Sequence, residues 1–117
     1  MRAQIRGIHS PDVDDPATWT PEQPGWCLFV QLFVGPEDGP GEESFGVVVC
    51  DPSWIGQQVE DGSVLDGRHT LVIDEFDWAS LETYFQQRVG SYEENSWVDL
   101  AAKLSRLGRW EFEDYQP

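Results

Sequence analysis

The stretch that decides the fold is Trp26–Val34, WCLFVQLFV, in which Gln31 alone interrupts an apolar run. A run of this length rich in β-branched and aromatic residues reads as a strand, and near-continuous apolarity predicts a central strand covered on both faces. The turn-rich, acidic Gly35–Glu43 (GPEDGPGEE) follows it, then a second strand candidate, Ser44–Cys50 (SFGVVVC). Two such runs around a Gly/Pro turn predict an antiparallel hairpin.

Outward from that hairpin the elements alternate. Arg2–Ile8 reads as a first strand, and Ser10–Gly25, dense in Pro and Asp, as an ordered excursion. Asp51-Pro52 places an N-cap before a proline at the first helical position, so a short helix to about Val59 is expected, burying Trp54, Ile55 and Val59. Gly67–Asp74 gives another strand. Asp77 then caps a helix whose Trp78, Leu81, Phe85 and Val89 share one face, ending near Gly90. Ser96 with Asp99 resembles a capping box opening a second helix, with Trp97, Leu100, Ala101, Leu104 and Leu107 as its stripe and Gly108 as its stop. The tail alternates Trp110 and Phe112 with Glu111 and Glu113, a strand pattern; Glu111, Glu113 and Asp114 are expected to pair with Arg106 and Arg109. Strands early and helices late predict an α+β fold: a mostly antiparallel sheet with two longer helices on one face, plus one short helix.

At 117 residues the chain fits one domain, residues 1–117, with a modest core of its own. Its 22 Asp+Glu against 7 Lys+Arg leave a net charge of −15, which repels phosphate backbones and anionic lipids; neither nucleic acid nor membrane is an expected partner. The charge is uneven. No Lys or Arg lies between Arg6 and Arg68, while Asp12, Asp14, Asp15, Glu22, Glu37, Asp38, Glu42, Glu43, Asp51, Glu60, Asp61 and Asp66 all do. Such a stretch is either a solvated surface or a face for a basic partner. The start has no signal-peptide core and no window suits a membrane span, so a cytoplasmic protein with reduced thiols is expected.

Chemistry-bearing arrangements are weak. His9, Asp12, Asp14 and Asp15 suggest a cation site but lack the glycine and distal glutamate of a calcium loop. Cys50 with His69 or His9 could form a nucleophile–base pair, yet both cysteines, Cys27 and Cys50, lie in apolar strands where cysteine acts as a small hydrophobe. No CxxC or HxxxH spacing gathers a zinc site, and no cofactor motif is present. Trp78, Trp97, Phe85, Trp110 and Phe112 sit at core periodicity, whereas Trp19 and Trp26, in or beside the Pro-rich excursion, are expected to be partly exposed. A sheet-edge scaffold and a small metal-dependent hydrolase built on His9–Asp15 are the competing classes.

KLSRLGRWEFEDY (Lys103–Tyr115), with HSPDVDD near the start, GEESFGVVVCDPSWI in the middle and GRHTLVIDEFDW, resembles the immunity protein 8 family of bacterial polymorphic toxin systems. The resemblance runs from about Arg2 to Tyr115. WEFEDY is its most specific part, and Asp99 stands where the family's helix would carry Glu. It implies a non-enzymatic inhibitor that binds the C-terminal toxin domain of a secreted effector, with no catalytic residue, metal or cofactor, and with WEFEDY serving the fold. Monomer and homodimer both fit. Joined to the charge pattern, it makes Asp12, Asp14, Asp15, Trp19, Glu37, Asp38, Glu42 and Glu43 the expected contacts to a basic toxin such as a nuclease.

Overall fold

A computed structural model describes residues 1–113. The elements run β1 (Ala3–His9), β2 (Cys27–Pro36), β3 (Glu43–Cys50), α1 (Pro52–Val59), β4 (Thr70–Val72), α2 (Trp78–Gly90), α3 (Trp97–Leu104) and β5 (Arg109–Trp110). They form a 5-stranded sheet in the order β1-β2-β3-β4, with β5 also pairing β3. The outer edge of β3 is shared: β5 takes Phe45 and Gly46 antiparallel, and β4 takes Val48 to Cys50 parallel. The other pairings are antiparallel, so the α+β expectation holds, with one parallel pairing and a strand at 70–72 shorter than Gly67–Asp74.

One sheet face carries the core. Leu28, Val30, Leu32 and Val34 of β2 are buried beside Val49, Val47 and Phe45 of β3. Over them lie Leu81, Phe85 and Val89 of α2, spaced by four so that they share one helix face, and Leu100, Ala101 and Leu104 of α3. Each helix has the cap its sequence announces. Asp77 accepts from Ser80 N, Ser96 from Asp99 N, and Asp51 from Trp54 N. Asp51 is 4% exposed, and its other oxygen accepts from Gly25 N at 2.9 Å, fastening the excursion to the start of α1.

Several expectations are corrected. β2 buries one face only; Phe29, Gln31 and Phe33 on the other are half-buried. Their apolarity has a local use. The ring of Phe29 occupies the space above Gly46, where an added Cβ would stand 2.8 Å from Cζ, and Phe33 lies near Gly7. The rings thus cover the glycine gaps of neighbouring strands. Nor does α1 bury its apolar residues: Trp54 and Ile55 are half-buried and Val59 is 40% exposed. This helix lies on the connection between the parallel strands β3 and β4, and none of its residues packs on the core cluster. At 8 residues α3 is no longer than α1; Leu107 reaches the core from a turn beyond it. Gly108 then lets the chain press on β3, since a Cβ there would meet Val47 at 3.0 Å and Phe45 at 3.1 Å.

The tail departs most. β5 has 2 residues, after which a turn closes from Glu113 N to Trp110 O, leaving Phe112 40% exposed with its ring against Trp110. Glu113 pairs with Arg68 at 2.5 Å, not with Arg106 or Arg109, because the turn aims it back towards β4. Glu111 accepts from Ser44 N at 2.7 Å. Asp114 and Tyr115 of the alternating tail lie outside the described residues.

Glu43, expected at a partner interface, has a structural occupation. Its Oε1 accepts from Trp97 Nε1 at 2.6 Å and from Trp110 Nε1 at 3.0 Å. Indole N–H groups only donate, so one half-buried carboxylate satisfies both. Glu43→Ala is therefore expected to cost about 2–4 kcal/mol, since it strands two donors that held a charged acceptor. Urea denaturation checks this, and in a Glu43→Ala/Trp97→Phe cycle the two losses should not add. Gly46→Ala should cost about 1–3 kcal/mol by displacing the Phe29 ring, read from the same denaturation midpoint.

Candidate partner-binding surface

The acidic half of the sequence does not fold into one patch. Glu37, Asp38 and Glu42 lie in the β2–β3 turn, exposed, with no side-chain hydrogen bond or ion pair to the described residues. Arg6 sits in a β-bulge of β1, where its guanidinium donates to the carbonyls of Pro36 and Gly39. It braces the turn and leaves the carboxylates unpaired. Asp12, Asp14, Asp15 and Trp19 lie at the other end of β2, in the excursion before it. β2 has 10 residues, which at about 3.3 Å each puts roughly 30 Å between the groups.

The excursion is ordered by its own acids. β1 ends at His9, and beyond it Ser10 Oγ donates to Phe29 O at 2.6 Å while Asp12 Oδ2 accepts from Phe29 N at 2.7 Å. These two side chains stand in for the next residue of a paired strand. Asp15 accepts from Ala17 N at 3.0 Å in a local turn. Asp14 is exposed and makes no such bond. Among the sequence-predicted contacts, Asp12 and Glu43 hold the fold, whereas Asp14, Glu37, Asp38 and Glu42 face solvent.

Trp19 belongs to an aromatic cluster. Its ring stands 4.8 Å from Phe76 and 6.0 Å from Trp26, both edge-to-face, and Phe76 lies 5.5 Å from Trp26. Phe76 also stacks on Trp78 at 6.4 Å. All four are half-buried and pack against the core, so Trp19 and Trp26 are partly exposed as expected. Phe76 comes from Asp74–Asp77 (DEFD), between β4 and α2. Two clefts adjoin there. One, about 500 Å³, is lined by Trp19, Phe76, Trp78 and Asp77. The other, about 400 Å³, is lined by Glu22, Trp26, Asp74 and Phe76, and Glu75 borders both.

Glu22, Asp74 and Glu75 are exposed and without side-chain partners among the described residues. Asp77 is held by Ser80, whose hydroxyl and N–H keep its carboxyl below the usual carboxylate range. Sequence reasoning missed Phe76, Asp74 and Glu75 as surface residues. The available signal was an aromatic flanked by acids on both sides directly after a strand.

The nucleophile reading gains no geometry. Cys27 and Cys50 are register partners across β2 and β3, and both are free thiols. Burial, then the neighbouring Cys27 and Asp51, pushes the Cys50 thiol up to about 11. Cys27 is exposed, and partial desolvation with the nearby Asp12 carboxylate raises its thiol as well. A protonated thiol is a poor nucleophile. His69 Nε2 is engaged by Ser105 O at 2.6 Å, and Cys50 Sγ points to Leu71 O, so Cys50 and His69 are not brought together as a pair. Among the described residues no group of three or more His, Cys, Asp or Glu is placed to hold a metal ion. No helix there is long and apolar enough to cross a membrane.

No match was found among curated proteins or among solved structures. The family model described as Immunity protein 8 matches residues 3–115, nearly the whole chain, including the strands, the helices and both acidic ends. The chain belongs to the immunity protein 8 family and is on that ground an immunity protein directed against a toxin.

Proposed function

We propose that this protein neutralises the toxin domain encoded beside it by binding that domain in the cytoplasm of the producing cell, without chemistry of its own. Family membership supplies the class of partner. The observation that carries the rest is the set of exposed carboxylates, Asp14, Glu37, Asp38 and Glu42, left without cations in a chain of net charge −15. A basic partner is the complement of such a surface, and a nuclease, whose cleft must attract phosphate, is a toxin of that kind. In this reading Asp12, Asp15 and Glu43 contribute field while keeping the surface in shape, and Trp19 supplies apolar contact at the excursion end. Complementary charge raises association to about 10⁸–10⁹ M⁻¹s⁻¹ at low salt, while buried contacts govern dissociation.

The test uses the adjacent toxin domain, co-expressed and copurified, with growth rescue as the functional readout. Asp14→Lys/Glu37→Lys/Asp38→Lys/Glu42→Lys should lower the low-salt association rate by about tenfold or more with little change in dissociation, and high salt should erase the difference. Stopped-flow fluorescence measures both rates. An association rate unchanged by four charge reversals would remove the acidic-surface reading, and failure to copurify would remove the partner.

A further inference from the structure

The clefts around Phe76 bring together aromatic rings and carboxylates. Trp19, Phe76 and Trp78 border one, and in the other the rings of Trp26 and Phe76 stand beside an acidic rim of Glu22, Asp74 and Glu75. No Lys or Arg occurs from Gly7 to Gly67 or from His69 to Gln87, so none of the segments lining the clefts carries a cation. The ion pairs of the described residues, Arg2–Glu93, Arg68–Glu113 and Lys103–Glu94, involve none of these carboxylates. One wall, Thr20 to Pro24, contains Pro21 and Pro24, which restrict its backbone before anything binds. The Phe76 side is fixed by the cap of α2 at Asp77 and by the edge-to-face contacts of Phe76.

Aromatic rings attract cations through their quadrupole, and carboxylates add charge and hydrogen-bond acceptors. A guanidinium uses both at once. It is planar, stacks on rings, is weakly hydrated and presents a fork that matches a carboxylate, whereas an ammonium is a strongly hydrated point charge. We propose that the cleft lined by Trp26 and Phe76 receives an arginine side chain from a loop of the partner protein, held between those rings and the Glu22/Asp74/Glu75 rim. This rests on the reading of a basic partner above and assigns its anchoring pocket to residues outside the acidic turn.

The intact protein is titrated with acetyl-Gly-Arg-Gly-amide and with the lysine and citrulline versions of that peptide, at moderate salt. Indole N–H resonances in NMR report the tryptophans. The arginine peptide should shift the Trp26 resonance saturably, the lysine peptide should bind about tenfold more weakly, and the isosteric, uncharged citrulline peptide should have no effect. Glu22→Gln/Asp74→Asn/Glu75→Gln removes charge at exposed positions without touching the Asp77 cap. It should weaken arginine binding about tenfold with an unchanged melting temperature. Phe76→Leu, which keeps apolar bulk but removes the ring, should weaken it comparably, and unchanged binding would overturn the role given to the ring.

Citrulline or lysine binding as well as arginine, an unaffected triple variant, or no saturable shift would each overturn the assignment. Capture of the adjacent toxin domain is measured in parallel. Capture without arginine binding overturns the pocket and leaves the immunity reading standing; arginine binding without capture does the reverse.

Discussion

One carboxylate holds the two layers of this fold in register. Glu43 opens β3, Trp97 opens α3, and Trp110 closes β5, and the three meet through two indole N–H bonds to a single oxygen. A half-buried carboxylate without donors would pay its desolvation unaided, and each indole without an acceptor would do likewise. Together they are satisfied. Because Trp97 is the first residue of α3, the clamp sets where that helix begins over the sheet, and Leu100, Ala101 and Leu104 follow onto the core by helical spacing. Because Trp110 sits in β5, the clamp also delivers the tail to Phe45 and Gly46. Glu111 completes the join, its N–H donating to Ser44 O at 3.0 Å and its carboxylate accepting from Ser44 N. The described part of the WEFEDY ending is thus occupied with the fold.

That occupation sharpens what the remaining charge is for. Twenty-two carboxylates against seven cations repel one another in the folded state. The three ion pairs among the described residues use Glu93, Glu94 and Glu113, all late in the chain and all partly exposed, where each adds about 0–1 kcal/mol. Arg88 pairs with no acid among the described residues: it donates to the hydroxyls of Tyr92 and Tyr84, which hold its guanidinium above its ordinary pKa. Nothing within the described fold neutralises the carboxylates between Asp12 and Asp66. A cationic partner would relieve repulsion as well as form contacts, so its binding free energy gains from a tension already present in the free protein.

The sequence disclosed what its local periodicity encodes. The strand runs of β2 and β3 and the hairpin between them, the spacing of Leu81, Phe85 and Val89, and the caps at Asp51, Asp77 and Ser96 were all legible, because each depends on neighbours within a few residues. What escaped depends on distant partners. Glu43 reads as one more acid in a turn until Trp97 and Trp110, 54 and 67 residues away, are brought to it. The Phe29 and Phe33 rings read as a second buried face because an apolar run does not reveal that Gly46 and Gly7 leave room for them. The DEFD segment reads as a strand exit until the excursion folds back and sets Trp19 against Phe76. The acidic stretch misled for a related reason: continuity in sequence suggests one face, but an antiparallel hairpin sends its turn and its entry to opposite ends.

Those opposite ends constrain how any partner can use them. At physiological salt charges are screened over about 8 Å, so the turn carboxylates have little influence on a group in the aromatic cleft roughly 30 Å away. A partner docked at the cleft alone would feel Asp14, Glu22, Asp74 and Glu75 but little of Glu37, Asp38 and Glu42. A standard interface covers about 800 Å² per side, a patch about 32 Å across if circular, which is close to the length of β2. One partner can therefore engage both ends only by lying along the strand direction. Charge at the turn would then act on the approach and orientation of the encounter, and the rings at the excursion would act on how long it lasts. The separation of the two groups is what lets those contributions be varied independently in this fold.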